Sequence, residues 1–231
     1  INGTLKYSQD AYRTTVYSKD NETDVKVGIA KRHMGVAGRA SYNWNYRYFV
    51  DFNFGYNGSE NFADGHRFGF FPAFSVAWNI AEEKIVKKHL KWMNMFKLRY
   101  SYGKVGNDQL GQRFPYLYTL ATKHMVKKDG KDVEETFPGW DWGDYTYGNS
   151  YDGLTYLDLA SENVTWEIAT KHDAGVDLSL FNDKFTATVD YFHEQRDGIF
   201  MAREFLPSMV GVRSNPKANV GSVRSQGFDG N

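Results

Sequence analysis

Residues 48–57 alternate apolar and polar positions almost without fault. Tyr48, Val50, Phe52, Phe54 and Tyr56 fall on one parity, and Asp51, Asn53, Gly55 and Asn57 on the other, with Phe49 the exception. Successive strand residues point to opposite faces, so the segment carries one oily and one wet face along its length. About ten residues of such alternation exceed a typical globular strand and match a tilted β-strand that crosses a bilayer.

The same period recurs along the chain. Over 34–44, Val36, Ala40, Tyr42 and Trp44 oppose Ala37, Arg39, Ser41 and Asn43. Over 69–80, Phe70, Phe74, Val76, Trp78 and Ile80 oppose Gly69, Ala73, Ser75, Ala77 and Asn79. Pro72 lacks the N–H that a central ladder needs, which predicts a strand start or a bulge there. Over 95–105, Phe96, Leu98, Tyr100 and Tyr102 oppose Lys97, Arg99, Ser101 and Gly103. A strand at 164–181 sets Trp166, Ile168, Val176, Leu178 and Leu180 against Glu167, Lys171, Asp173, Asp177 and Ser179. Thr170 and His172 interrupt its oily face, which places its first half above the apolar band. A strand at 185–196 sets Phe185, Ala187, Val189, Tyr191 and His193 against Thr186, Thr188, Asp190, Glu194 and Arg196, and 223–231 begins a seventh. Residues 1–33 read as a loop with weak strand character. Residues 81–92 are the one helical patch, with Glu83 and Lys87 at the favourable i,i+4 spacing. Residues 106–162 show no sustained alternation, and a loop of that length is functional or disordered.

The connections divide into two kinds. Those at 45–47 and 182–184 are tight and 81–94 is intermediate, whereas 58–68, 106–162 and 197–222 are longer. Short turns on one edge and long loops on the other are the arrangement of an outer-membrane barrel. The expected fold is therefore all-β: an antiparallel transmembrane β-barrel fragment of about six to seven strands of a larger barrel, with long extracellular loops and short periplasmic turns. Val50, Phe52, Phe54, Phe74, Val76 and Trp78, then Leu98, Tyr100, Leu178, Val189 and Tyr191, are expected to face lipid. Arg39, Asp51, Asn53, Lys97, Arg99, Asp177 and Asp190 are expected to face the lumen, where charges of both signs pair across strands. The alternation also admits a soluble β-sandwich, in which each apolar face meets a second sheet.

Composition sharpens this picture. Aromatic residues make up 17% of the 231, yet the mean hydropathy is −0.60. An aromatic-rich chain that is polar on average suits a wall with one face in lipid and one in water. Lysine plus arginine and aspartate plus glutamate are 28 each, so no basic stripe points to nucleic acid. Cysteine is absent, which excludes disulfides and thiolate-held metals. No apolar run approaches the ~18 residues of a transmembrane helix. The opening Ile1-Asn2-Gly3-Thr4 has no signal-peptide character, and the last residues read as an interrupted strand. Both ends are expected to continue into a longer protein.

Candidate chemistry concentrates in the long central loop. Trp140, Trp142, Tyr145 and Tyr147, with Asp141 and Asp144, form a candidate substrate platform. Flat rings stack on the C–H faces of sugars, and carboxylates bond hydroxyls. Packing of the loop on its neighbours is the reading favoured for the same residues. A glycosidase needs two carboxylates on a shared cleft; Glu134-Glu135 and Asp141/Asp144 are available, but acids are common in loops. The six histidines are scattered, without metal-ligand spacing, and no nucleophile elbow or phosphate loop occurs. No catalytic residue, metal or cofactor is expected.

Several motifs together resemble a known family. Tyr56-Asn57-Gly58-Ser59-Glu60-Asn61-Phe62 is followed by Arg67-Phe68-Gly69-Phe70-Phe71-Pro72 and Ser75-Val76-Ala77-Trp78-Asn79-Ile80-Ala81-Glu82-Glu83. Then come the stretch from Lys97 to Asp108, Trp166-Glu167, Gly175-Val176-Asp177-Leu178-Ser179-Leu180-Phe181, Asp190-Tyr191-Phe192, Leu206-Pro207 and Asn219-Val220-Gly221. In that order, over about 34–231, they resemble the barrel of SusC/RagA-type TonB-linked outer-membrane transporters.

The resemblance implies a bacterial outer-membrane importer of bulky nutrients, with oligosaccharide the preferred cargo and peptide its rival. It implies a SusD-like surface lipoprotein as lid, coupling to the TonB complex through a plug, and contact with outer-membrane lipid. It also implies no enzymatic chemistry. The chain departs from the whole family pattern: no plug, TonB-contacting box or N-terminal extension is visible. It therefore reads as an internal slice, 1–231, of the barrel domain, with too few strands to close alone. The rival reading is a secreted soluble β-sandwich carbohydrate-binding module.

Overall fold

The computed structural model describes residues 1–16, 27–111, 114–121, 123–128, 130–142, 149–204 and 215–231. Its main body is one eight-stranded sheet, antiparallel throughout. In spatial order the strands are β1 (Asn2–Val16), β2 (Val27–Trp44), β3 (Tyr48–Ser59), β4 (Phe68–Asn79), β5 (Met93–Asn107), β11 (Glu167–Leu180), β12 (Phe185–Ala202) and β13 (Lys217–Gly230). Sequence neighbours pair everywhere except between β5 and β11. There the chain makes an excursion through β6 (Thr119–Ala121), β7 (Lys123–Lys128), β8 (Lys131–Trp142), β9 (Asn149–Gly153) and β10 (Thr155–Asp158). These form two small satellite sheets, β10-β6 and β7-β8-β9.

The sheet has eight strands where the alternation predicts six to seven, and the extra strand is β1. Its sequence, NGTLKYSQDAYRTTV, is polar on both parities, so no amphipathic period marks it. It is held by a continuous backbone ladder to β2, from Asn2–Ser41 to Val16–Val27. The predicted 34–44 strand is the lower part of β2. The excursion, read from sequence as a loop without alternation, contains short strands joined by backbone ladders.

Pro72 lies within β4 rather than at its start. The β3 ladder continues past it to Gly58–Phe68, but the β5 ladder ends one residue below, at Ala73–Gly103. On that side β4 is locally an edge, which is where a residue without an N–H is tolerated. The helical patch is also shorter than the pattern suggests. A 3-10 turn at Ile80–Glu82 leads into α1 (Lys84–His89).

The ladders sort side chains into two faces. One cross-strand row reads Tyr42, Val50, Val76, Tyr100, Ala174, Tyr191 and Phe228. The row below it reads Trp44, Tyr48, Trp78, Leu98, Val176 and Val189. This apolar face stands open: Phe52 is 45% exposed, Phe70 56% and Val189 53%. A soluble sandwich requires a second layer here, and among the described residues none covers it. The opposite face carries the charges and small residues.

The apolar band runs obliquely to the strands. It ends above at Tyr56 on β3 and at Tyr191 on β12, and Tyr191 is level with Val50, six residues below Tyr56. Below, it begins at Tyr48 on β3 and at Phe185 on β12, four residues under Val189, which is level with Tyr48. A drift of about one to one and a half residues per strand, at ~3.3 Å along against ~4.8 Å across, is a tilt of roughly 35–45°. That is the inclination of strands in a closed barrel.

Candidate functional site

The polar face divides into two charged patches separated by a strip of small residues. On β2 and β3, Arg39 donates to Asp51 at 3.1 Å, and Ser41 donates to the same carboxylate. Asn53 is level with Arg39 in the same ladder. Ala73, Ser75 and Ala77 of β4 make the strip, and with Ser101 and Gly103 of β5 they leave the wall between the patches shallow.

The second patch spans β5, β11 and β12. Arg99 donates to Asp190 at 2.6 Å and lies 3.4 Å from Asp177. These residues meet across β11 because Gly175 stands between Arg99 and Asp190 in register. A Cβ at Gly175 would collide with the Asp190 carboxylate and lie 2.8 Å from Arg99 Nε. The glycine is the notch that lets two long side chains pair over a strand. Above it, Lys171 pairs with Glu194 at 3.1 Å, and Arg196 bridges Glu194 at 3.0 Å and Glu167 at 3.1 Å. Lys97 sits 4.7 Å from the centre of the Phe49 ring, a cation–π contact that gives the one misplaced aromatic of β3 a polar-face role. Most of these charges thus pair with one another within the wall, while Arg99 Nε and Asp190 Oδ1 are buried without a hydrogen-bond partner.

A hydrophobic knot closes the rim from which the long loops leave. Above Ala73–Gly103 the β4–β5 ladder stops, and Phe71 fills the gap, packed so that a Cβ on Gly69 or Gly106 would strike its ring. Trp166 meets Phe71 edge-on at 5.2 Å and Phe62 at 5.1 Å, with Val164 completing the buried cluster. The Trp166 indole donates to Arg67 O at 3.2 Å. Around the knot, hydrogen bonds stitch the loops together. Ser59 donates to Asp108 at 2.7 Å, Asn61 to Asp108 O at 2.9 Å, and Asn219 to Thr165 O at 2.9 Å and Gly198 O at 2.7 Å. Phe62 lies outside regular strands, and β11 begins at Glu167 rather than at the predicted 164, so Val164 and Trp166 precede it and pack into the knot instead of opening its apolar row.

The opposite rim is built from exposed rings. Trp44 stacks on Tyr48 at 5.7 Å, Tyr48 on Trp78 at 6.3 Å, and Trp92 on Phe181 at 5.6 Å. Tyr48 and Trp78 both donate to the Glu83 carboxylate, at 2.8 and 3.3 Å, and Arg47 lies 3.7 Å from it. Tyr48 first, then Trp78 and Arg47, hold the Glu83 carboxyl below the usual carboxylate range. Glu83 is thereby taken, and Lys87 pairs with Glu82 at 2.8 Å instead of the i,i+4 partner the helical spacing predicts.

Of the substrate platform, the structure describes only part. Trp140, Asp141 and Trp142 belong to β8, level with Tyr151, Ser150 and Asn149 of β9. Asp144, Tyr145 and Tyr147 lie outside the described residues. The apolar set divides among five strands of one face: Val50, Phe52 and Phe54 on β3, Phe74, Val76 and Trp78 on β4, Leu98 and Tyr100 on β5, Leu178 on β11, and Val189 and Tyr191 on β12.

A tilted antiparallel wall with one open aromatic face and one self-paired charged face is the wall of an outer-membrane-type β-barrel. The sequence profile described as TonB dependent receptor-like, beta-barrel matches residues 2–231, and the chain belongs to that family. Among curated proteins it is 28% identical over 196 residues to TonB-dependent receptor P3 of Formosa agariphila, covering 85% of this chain and 17% of that protein. It is 24% identical over 192 residues to TonB-dependent receptor SusC of Bacteroides thetaiotaomicron, covering 83% of this chain and 17% of SusC. The chain thus spans about a sixth of the length of the curated relatives it matches. Among solved structures, the RagAB peptide importer in its closed-closed state superposes with a TM-score of 0.68 at 14% identity, over 99% of this chain and 27% of that one. The barrels of this family reside in the bacterial outer membrane, and so does this segment.

Proposed function

We propose that this chain is a stretch of barrel wall in a TonB-dependent importer of bulky nutrients, with its apolar face toward lipid and its polar face toward the lumen. The observation that carries this reading is the continuous exposed aromatic face across β2–β5 and β11–β12, backed by charges already paired with each other. A lumen whose charges are mostly paired with each other lets a large polar solute pass without trapping it. The chemistry is binding and gated passage, with no covalent step. The rim with the aromatic knot and the long loops faces outward, where a SusD-like lipoprotein lids the barrel. The short-turn rim faces the periplasm, where the TonB complex acts through a plug seated against the polar patches.

Oligosaccharide is the cargo this reading favours, through the resemblance to SusC/RagA-type transporters and the aromatic and acidic composition of the 137–147 stretch. Peptide is the second reading, because a solved structural neighbour is described as a peptide importer. Uptake assays in cells lacking the full-length gene decide. Lost uptake of labelled oligosaccharides supports the first, lost peptide uptake the second, and unchanged uptake of both overturns import.

A further inference from the structure

The connection between β4 and β5 carries a feature that transport does not explain. Lys84 and Lys88 lie on one stripe of α1, and Lys91 follows in the turn after it. All three are exposed and have no partner among the described residues, whereas the nearby acids are engaged. Glu82 holds Lys87, and Glu83 holds Arg47, Tyr48 and Trp78. The segment therefore presents an unneutralised cluster of three cations.

Its position says what faces that cluster. Tyr48 and Trp78 belong to the open apolar face, and their hydrogen bonds to Glu83 draw the start of α1 to that side of the wall. Ile85 is 75% exposed, and Trp92 is stacked on Phe181 from the next hairpin. Apolar side chains, ring N–H and O–H groups and free lysines at one level are the composition of a membrane interface.

We propose that this connection is an interfacial anchor, with Lys84, Lys88 and Lys91 binding the phosphate headgroups of anionic phospholipid at the short-turn rim. The proposal rests on the reading that the apolar face meets lipid. Continuity with the apolar band and charge complementarity select lipid over a soluble partner.

The test uses the full-length transporter that contains this segment. The purified protein is equilibrated with phosphatidylglycerol and phosphatidylcholine, and retained lipid is counted by native mass spectrometry. The expected result is a preference of about tenfold for phosphatidylglycerol, lost in K84Q/K88Q/K91Q and kept in K84R/K88R/K91R. The arginine variant separates lost charge from lost folding. Equal retention of the two lipids by the unaltered protein overturns the anchor, as does an undiminished preference in the glutamine variant. Crosslinking of these lysines to an acidic soluble protein, without lipid preference, also overturns it. A protein that retains neither lipid and leaves the membrane fraction contradicts the lipid-facing reading itself.

Discussion

The two rims of this wall use the same residue types to opposite ends. At the short-turn rim, Trp44, Tyr48, Trp78, Trp92 and Phe181 stack in pairs yet remain 38–56% exposed. At the long-loop rim, Phe62, Phe71 and Trp166 are buried, Phe62 completely. The open rings stack at 12–23°, whereas the knot rings meet tilted or edge-on at 46° and 66°, but the residue types are the same, so the rings themselves do not decide the difference. Surroundings do: one set lies on an open face, whereas the other fills a place where two strands part. An exposed ring contributes through the solvent it meets, and a buried ring through the gap it closes.

Substitutions should separate these roles. Trp166→Ala removes the centre of the knot, and loss of a large buried ring costs about 3–5 kcal/mol. The full-length protein should show a lowered heat-denaturation midpoint on semi-native gels and faster proteolysis of its long loops, whereas Trp78→Ala at the open rim should leave both nearly unchanged. Equal losses would erase the distinction between the rims. Next is Phe52→Arg, which places a charge in the middle of the apolar face at roughly 2–4 kcal/mol. It should reduce assembled barrel in the outer-membrane fraction, with Asn53→Arg, one residue along on the polar face, much milder. The reverse order would invert the two faces.

Gly175→Val should come third. It drives a side chain between Arg99 and Asp190 and should cost about 1–3 kcal/mol through overpacking, read as a shift in the same midpoint. Gly175→Val combined with Arg99→Ala should lose less than the two single changes added together, because both break one contact. The smallest effect is Glu83→Gln. The folded protein holds the Glu83 carboxyl below its ordinary range, so its contribution is present above that range and is lost as pH falls through the lowered value. The difference between Glu83→Gln and the unaltered protein should therefore be visible at neutral pH and shrink in acid; a difference that grows in acid would contradict the Tyr48–Trp78–Glu83 clamp.

Strands β3, β4 and β12 were legible because a wall between oil and water imposes period two on every side chain it exposes. β1 was not, since polar residues on both parities leave only the β2 ladder to define it, and backbone pairing leaves no mark on composition. The knot was illegible for another reason: Phe62 and Val164 reach it from loops, and Phe71 sits on the parity that alternation reserves for polar residues. The charges of the polar face were legible as a set, but their pairing depends on register and on Gly175, which reads alone as a weak strand position. The Glu83–Lys87 expectation failed because local helix spacing cannot foresee Tyr48 arriving from thirty-five residues away.

The short ladder between β4 and β5 has a mechanical meaning. It runs only from Ala73–Gly103 down to Asn79–Lys97, while the β3–β4 and β5–β11 ladders on either side continue well above it. Backbone bonds along a seam share a pulling force, and a seam with fewer of them yields first. Drawn from its ends, this wall would tear beside Pro72 before it tears anywhere else, with the aromatic knot as the rivet that delays the opening.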